Sequence, residues 1–212
     1  MRTTFKWFFC TVLIRSFHTI SQSSESLLKE KGSKFYGYAF PCKNELEAKN
    51  FIQDLKKVHH TARHFCYAYR FGHDLLDYRA NDDGEPNNSA GMPILGQIQS
   101  FGVTNVLVVV VRYFGGVKLG VGGLVSAYKE TAKMAMENSI IIEKKVTKKI
   151  EIHFEYEFMP KVMNVMKQFN MEILSQDFNL SCILIFRCPV ELEVQVLDEI
   201  SPLIPIINEI YL

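Results

Sequence analysis

The 212-residue chain is short of cysteine pairs, net charge, low-complexity sequence and long apolar runs, and each shortage removes a class of protein. Its five cysteines, Cys10, Cys42, Cys66, Cys182 and Cys188, are odd in number, scattered and without a C-x-x-C pair. A disulfide framework is excluded, and a reduced, cytoplasmic protein is the expectation. The net charge is only +1. Residues 1–20 hold three basic and no acidic side chains, 21–140 hold fourteen against twelve, and 141–212 hold seven against eleven. A C-terminal part that is acidic overall is a poor polyphosphate binder unless its few lysines cluster. The apolar stretch 7–14 follows Arg2 and Lys6 as a secretion signal would. However, Thr11 interrupts it, Arg15 closes it and no small-x-small cleavage pattern is near. It is too short to span a bilayer, so no integral membrane association is expected. Residues 1–16 read as an N-terminal extension, with a peripheral anchor as the alternative. No internal repeat is found.

What is present is ordinary globular composition, 48% apolar and 22% charged, with a length that suits one large or two small domains. Seven of the twelve glycines lie in two segments, 82–95 and 108–128, where the backbone is being asked for turns and close approaches that a side chain would block. Between them, residues 106–111 form an unbroken apolar run, expected as a strand buried on both faces in the middle of a sheet. Upstream, 35–40 reads as a strand. Asn44 opens a helix with Glu47 three residues on, as in a capping box, and Ala48, Phe51, Ile52, Leu55 and Val58 form its apolar stripe. Residues 63–71 alternate as a strand, with Phe65, Tyr67, Tyr69 and Phe71 on the packing face and His64, Cys66, Ala68 and Arg70 on the other. A turn at 72–74 leads to a short strand near 75–79.

A further helix is expected to start with Pro93 in first position and to stop before Gly102, with Ile94, Leu95, Ile98 and Phe101 inward. Leu124, Tyr128, Ala132 and Ala135 make the stripe of the helix after the glycine-rich loop. Composition shifts at 143–149, which is taken as the domain boundary. Beyond it the order is strand 149–156, helix 159–169, strand 171–176, strand 180–187, helix 191–200 and strand 206–211. That is the β-α-β-β-α-β order of a ferredoxin-like domain. Met159, Met163 and Met166 read as a helix packing stripe.

The segments Asp83-Gly84-Glu85-Pro86, Ala90-Gly91-x-Pro93-x-Leu95 and Arg112-Tyr113-Phe114-Gly115-Gly116 through Leu119, Gly120, Gly122, Gly123, Leu124, Ala127 and Tyr128 together resemble the IMPACT/YigZ family in its two-domain, bacterial-like form. One departure stands out. Between Pro86 and Ala90 the family has small residues, Gly and Thr, whereas this chain has Asn87, Asn88 and Ser89. Asn tolerates positive φ, so the turn is expected to survive. The resemblance implies an α+β protein: an N-terminal ribosomal protein S5 domain 2-like domain over 17–142, with a left-handed β-α-β crossover, then a ferredoxin-like domain over 148–212 resembling domain V of elongation factor G. Eukaryotic relatives carry an additional N-terminal domain and act on translational control through a kinase activator, a pathway not carried over here.

Two constellations could carry chemistry. The loop holding Gly115, Gly116, Gly120, Gly122 and Gly123 sits between a buried strand and a helix, where backbone amides can receive a phosphate-like anion and Arg112 and Lys118 could add charge. It is neither a Walker loop nor a G-x-G-x-x-G fingerprint in register. Glycines that merely let the helix pack tightly on the sheet would look the same. Tyr113 and Phe114, placed in a loop beyond the strand end, are candidate stacking residues for bases. The second constellation joins Asp82, Asp83 and Glu85 to His64 and Cys66, as acid, base and nucleophile or as a metal site. The alternative is that the acids cap a turn and a helix while His64 and Cys66 pack. No second spaced ligand pair is visible, so no metal and no cofactor are expected. His59 and His60 are expected at a helix end that favours a cation, and His153 on a strand facing solvent.

The first functional reading is a cytoplasmic binding protein of the translation apparatus, contacting RNA, the ribosome or a translation factor through the glycine loop and Tyr113–Phe114. The alternative is a hydrolase or phosphotransferase using His64, Asp83, Glu85 and Arg112. The binding reading ranks first, and both rest on fold-level analogy.

Overall fold

The computed structural model describes residues 14–73, 75–178 and 182–203, and the backbone of 206–210. Cys10 and the stretch 7–14 up to residue 13 lie outside the described residues, as does residue 211. The chain forms two compact units, one over Ser16–Lys144 and one from Lys145 onward.

The first unit is built on β6 (Val106–Tyr113), whose residues 106–112 are all buried. A run of β-branched side chains favours extended backbone, and alternation sends them both ways. Val106, Val108 and Val110 enter one apolar cluster, and Leu107, Val109 and Val111 enter another. Full burial of each such side chain contributes about 1.5–3 kcal/mol, which makes β6 the natural centre. It lies between β3 (Ser33–Pro41) and β4 (His64–Phe71), with β2 (Ser24–Glu30) and β5 (Asp77–Asn81) at the edges. Every pairing in this sheet is antiparallel. A separate two-stranded ribbon pairs β1 (Ser16–Ile20) with β7 (Ile141–Lys145).

Helix α1 (Glu45–Val58) covers one face, with Phe51 stacked on Phe40 at 4.5 Å between ring centroids. Its start is as read: the Asn44 side chain accepts from the Glu47 amide at 2.9 Å, and the Glu47 carboxylate accepts from the Lys43 amide at 2.9 Å. Its stripe differs at the end, since Val58 is 70% exposed. The inward position one turn after Leu55 belongs instead to His59, which is buried.

The other face carries α2 (Gly91–Ser100) and α3 (Gly120–Glu137). Pro93 occupies the third position of α2, not the first, where its missing amide still falls among those with no intrahelical partner. The strand expected near 75–79 is β5, two residues later, because its register pairs Asp77 with Phe71 and Asn81 with Tyr67. The face that carries α2 and α3 closes through Gly37 and Gly91, where added Cβ atoms would stand 2.5 Å from Ser26 Oγ and from the Asn81 amide respectively.

The second unit has the expected β-α-β-β-α-β order. It runs β8 (Thr147–Phe154), α4 (Met159–Gln168), β9 (Glu172–Phe178), β10 (Cys182–Pro189), α5 (Glu193–Ile200) and β11 (Ile206–Ile210), with sheet order β11-β8-β10-β9, all antiparallel. Its core gathers Ile150, Ile152, Leu184 and Phe186 from the sheet with Val162, Val165, Met166, Val196 and Ile200 from the helices. Of the expected stripe, Met166 is buried in this core and Met159 packs against it, while Met163 stays outside and Val162 and Val165 complete the packing face of α4. His153 is only partly exposed and bonds Glu151 at 2.7 Å.

Gly37→Ala is expected to lower stability by about 1–3 kcal/mol, the usual scale for overpacking, because its Cβ would also lie 2.9 Å from the Thr131 carbonyl on α3. Denaturant unfolding measures it, and a change near zero would show that α3 moves aside freely.

Candidate functional site

The acidic turn is folded by its own backbone amides. Asp82 accepts from the amides of Ala90 and Gly91 through one oxygen, at 2.9 and 2.8 Å, and from Asn88 through the other at 2.9 Å. It thereby caps α2 from outside the helix, which explains why α2 begins before Pro93. Asp83 accepts from the Phe65 amide at 2.7 Å, tying the turn to β4. Asp83 and Gly84 both take positive φ, 39° and 85°. Asn88 does so at 59°, and the Ser89 hydroxyl donates to the Pro86 carbonyl at 2.6 Å, so the turn survives the departure at 87–89.

His64 and Cys66 stand where the sequence suggested, beside this turn. The His64 Nδ1 lies 3.0 Å from the Asp83 carbonyl and the Cys66 thiol donates to the Asp82 carbonyl at 3.0 Å. A carbonyl only accepts, so His64 carries its proton on Nδ1 there and presents Nε2 outward from that bond. Burial pushes the Cys66 thiol well above its ordinary range, with the nearby carboxylates adding to it, so it stays a protonated packing residue. Among the described residues no three His, Cys, Asp or Glu side chains gather as a metal site would require.

Glu85 does not reach His64's hydrogen bond. Its Oε1 accepts from Arg112 Nη1 at 2.6 Å and from the Tyr128 hydroxyl at 2.9 Å, all three side chains being buried. The Arg112 guanidinium sits 5.4 Å from the Phe35 ring and 5.5 Å from the Phe114 ring, and Phe35 meets Tyr128 edge-on at 5.3 Å. Arg112 is 6% exposed, yet its Nε has no hydrogen-bond partner among the described residues. Burial holds the Tyr128 hydroxyl far above the ordinary phenol range, which keeps it a donor to Glu85. The pairing of Arg112 with Lys118 beside the glycine amides is therefore not what forms: Lys118 is exposed, and Arg112 is committed to Glu85.

The glycines of the loop have different reasons. At Gly115 a Cβ would fall 1.9 Å from the Gly32 carbonyl carbon and 2.1 Å from the Ser33 amide, while the Gly115 amide donates to Ser33 Oγ at 3.1 Å. Gly116 and Gly120 have positive φ, 86° and 71°, in open space. Gly122 has neither constraint. A Cβ on Gly123 would meet the Leu119 side chain at 3.1 Å. Helix α3 starts after Leu119 with no side-chain cap.

Tyr113 is not in the loop but ends β6. Its hydroxyl bonds His59 Nδ1 at 2.9 Å, and His59 Nε2 meets the Tyr38 hydroxyl at 2.7 Å. His59 was expected as a helix-end cation. Burial instead holds its imidazolium below the ordinary range, against the pull of Glu25, so the neutral ring is favoured. Phe114 is 56% exposed and, with Tyr113, lines two cavities. One, of about 380 Å³, is lined by Thr61, Arg63, His64, Arg112, Tyr113 and Phe114, and the other, of about 430 Å³, by Gly32, Lys34, Tyr36, Tyr113 and Phe114. Arg63, Thr61 and Lys34 carried no sequence signal beyond being polar next to strands.

A sequence profile of the Impact N-terminal domain matches residues 31–136. The chain is 33% identical over 156 residues to the IMPACT family member YvyE of Bacillus subtilis, covering 74% of this chain and 72% of that protein. It is 34% identical over 133 residues to the IMPACT family member YigZ of Escherichia coli, covering 62% and 65%. A crystal structure described as that of a hypothetical protein superposes with a TM-score of 0.73 at 27% identity, over 90% of this chain and 93% of that one.

Two outcomes follow from the geometry. Gly115→Ala is expected to destabilise strongly, whereas Gly122→Ala is expected to be neutral or to stabilise by up to about 1 kcal/mol, as alanine does inside a helix. Equal melting temperatures for both variants would remove the close approach as a constraint. For His59, the unfolded chain takes up a proton near the ordinary value of 6.5, while the folded chain takes it up only at lower pH. Stability is thus present above 6.5 and is lost as pH falls towards the folded value. Going from about pH 7 to about pH 5 should lower the melting temperature of the wild type more than that of His59→Gln, which titrates nothing there. Identical drops would assign the acid sensitivity elsewhere.

Proposed function

The chain belongs to the IMPACT family, and from that premise we propose that it is a regulatory binding protein of the translation apparatus that contacts single-stranded RNA through the two cavities flanking Phe114. The observation that carries the reading is the lining itself. Arg63 and Arg112 line one of the cavities that share the exposed Phe114 ring and Lys34 lines the other, with no carboxylate among the lining residues. Phosphates attract to the flanking cations while a base stacks on the ring, the arrangement that single-strand binders use. Arg112 is the least free of these cations, since Glu85 holds it, so Arg63, Lys34 and the exposed Lys118 supply the field.

The same proposal places the first unit in the ribosomal protein S5 domain 2-like fold and the second in a form like domain V of elongation factor G. The enzyme alternative draws no support from the site, because the Asp83 and Glu85 carboxylates are both taken up by protein donors. A cytoplasmic location belongs to the proposal too. Among the described residues no helix is long and apolar enough to cross a membrane, and Cys42, Cys66, Cys182 and Cys188 are free thiols.

Binding of an unstructured RNA, followed by anisotropy over a salt series, tests this. Lys34→Ala and Arg63→Ala are each expected to reduce the salt slope by about one, and Phe114→Ala to weaken binding by about tenfold or more. Salt-insensitive binding, or none, would sink the RNA contact and leave a protein partner as the better reading.

A further inference from the structure

The cavity beside β4 has features that a passing strand of RNA does not require. It lies where β4 begins and β6 ends, and the ladder sets His64 directly opposite Arg112. Two guanidinium groups, an imidazole and a threonine hydroxyl converge on it without a single acid in the lining. Arg112 is fixed by three contacts, to Glu85 and to the rings of Phe35 and Phe114, and lines the cavity, its buried Nε having no partner among the described residues. The guanidinium thus forms a fixed wall of the cavity, while its buried Nε is not itself a donor to a ligand there. Arg63 is exposed and, among the described residues, in no ion pair, so its charge is available to the same ligand. The volume, about 380 Å³, lies in the range of small-ligand pockets. Phe114 adds a flat apolar surface whose ring is already polarised by the Arg112 cation 5.5 Å away.

Resting on the RNA-binding reading above, we propose that this cavity binds a nucleoside 5′-monophosphate group, with the phosphate at Thr61, Arg63 and His64 and the base against Phe114. A phosphate monoester carries about −1.5 to −2 charge at neutral pH, more than a bridging diester, and so gains more from converging cationic donors. His64, whose Nδ1–H is committed to the Asp83 carbonyl, leaves Nε2 as an acceptor, which in this site takes the hydrogen of a singly protonated phosphate. Glu85 is a positioning residue that holds Arg112 in place. The group arrives either as a free nucleotide or as the 5′-phosphorylated end of an RNA.

The test titrates the full chain with AMP, with adenosine, and with one short unstructured RNA bearing either a 5′-phosphate or a 5′-hydroxyl. Variants are Arg63→Gln and Phe114→Leu, both at exposed positions, with circular dichroism to confirm folding. The phosphorylated RNA is expected to bind about tenfold tighter than the hydroxyl form, the difference vanishing in Arg63→Gln, and Phe114→Leu to weaken both forms. AMP binding that adenosine does not share, lost in Arg63→Gln, supports the site and makes a free nucleotide its source. Equal affinity for the two RNA ends with no AMP binding overturns the pocket while the RNA-binding reading stands. AMP binding without any RNA binding upholds the pocket and removes the RNA contact, and binding of neither overturns both.

Discussion

The contact on which the first unit depends is the buried pair of Glu85 with Arg112. A carboxylate and a guanidinium taken out of water lose several kcal/mol of hydration each, and only close geometry with further donors recovers it. Here the recovery comes from a 2.6 Å hydrogen bond, a second one from Tyr128, and two aromatic rings around the cation. The pair joins three segments far apart in sequence: the acidic turn, the end of the central strand and the helix after the glycine loop. Its value is less in net stability than in registration, since removing either partner would strand a buried charge at a cost of about 3–5 kcal/mol.

That registration decides what the acidic turn can do. Three carboxylates in four residues look like a reactive cluster when written as letters. In the folded chain each is used up by a different donor: the α2 amides by Asp82, the Phe65 amide by Asp83, and Arg112 with Tyr128 by Glu85. The chemistry left facing outward is therefore cationic and aromatic, supplied by residues at the two strand ends next to the turn.

Much of this architecture is legible in the sequence because burial is written as pattern. The apolar run 106–111, the alternation along 64–71 and the capping box at Asn44 each map to one element without ambiguity. Strands β1, β2 and β7 escaped because they lie at an edge or in a two-stranded ribbon and carry polar side chains such as those of Ser24, Glu25 and Lys144. At the end of α1, Val58 and His59 are both one turn from Leu55, and hydrophobicity alone prefers the valine. Tertiary partners prefer the histidine, whose two ring nitrogens meet Tyr38 and Tyr113. The candidate site was half legible for a related reason: glycines and acids advertise themselves, while Arg63, Thr61 and Lys34 gain meaning only once β3, β4 and β6 lie side by side.

Gly32 and Gly115 fill each other's missing side chains: a Cβ on Gly32 would lie 2.8 Å from the Gly115 carbonyl oxygen, and one on Gly115 would strike the Gly32–Ser33 peptide. Two turns distant in the chain thus share one gap of atomic width. A methyl added at either position has no room unless the other turn shifts. The loop that carries Phe114 is thereby clasped to the β2–β3 hairpin, so the exposed ring keeps its height above the sheet only while both turns stay bare of side chains.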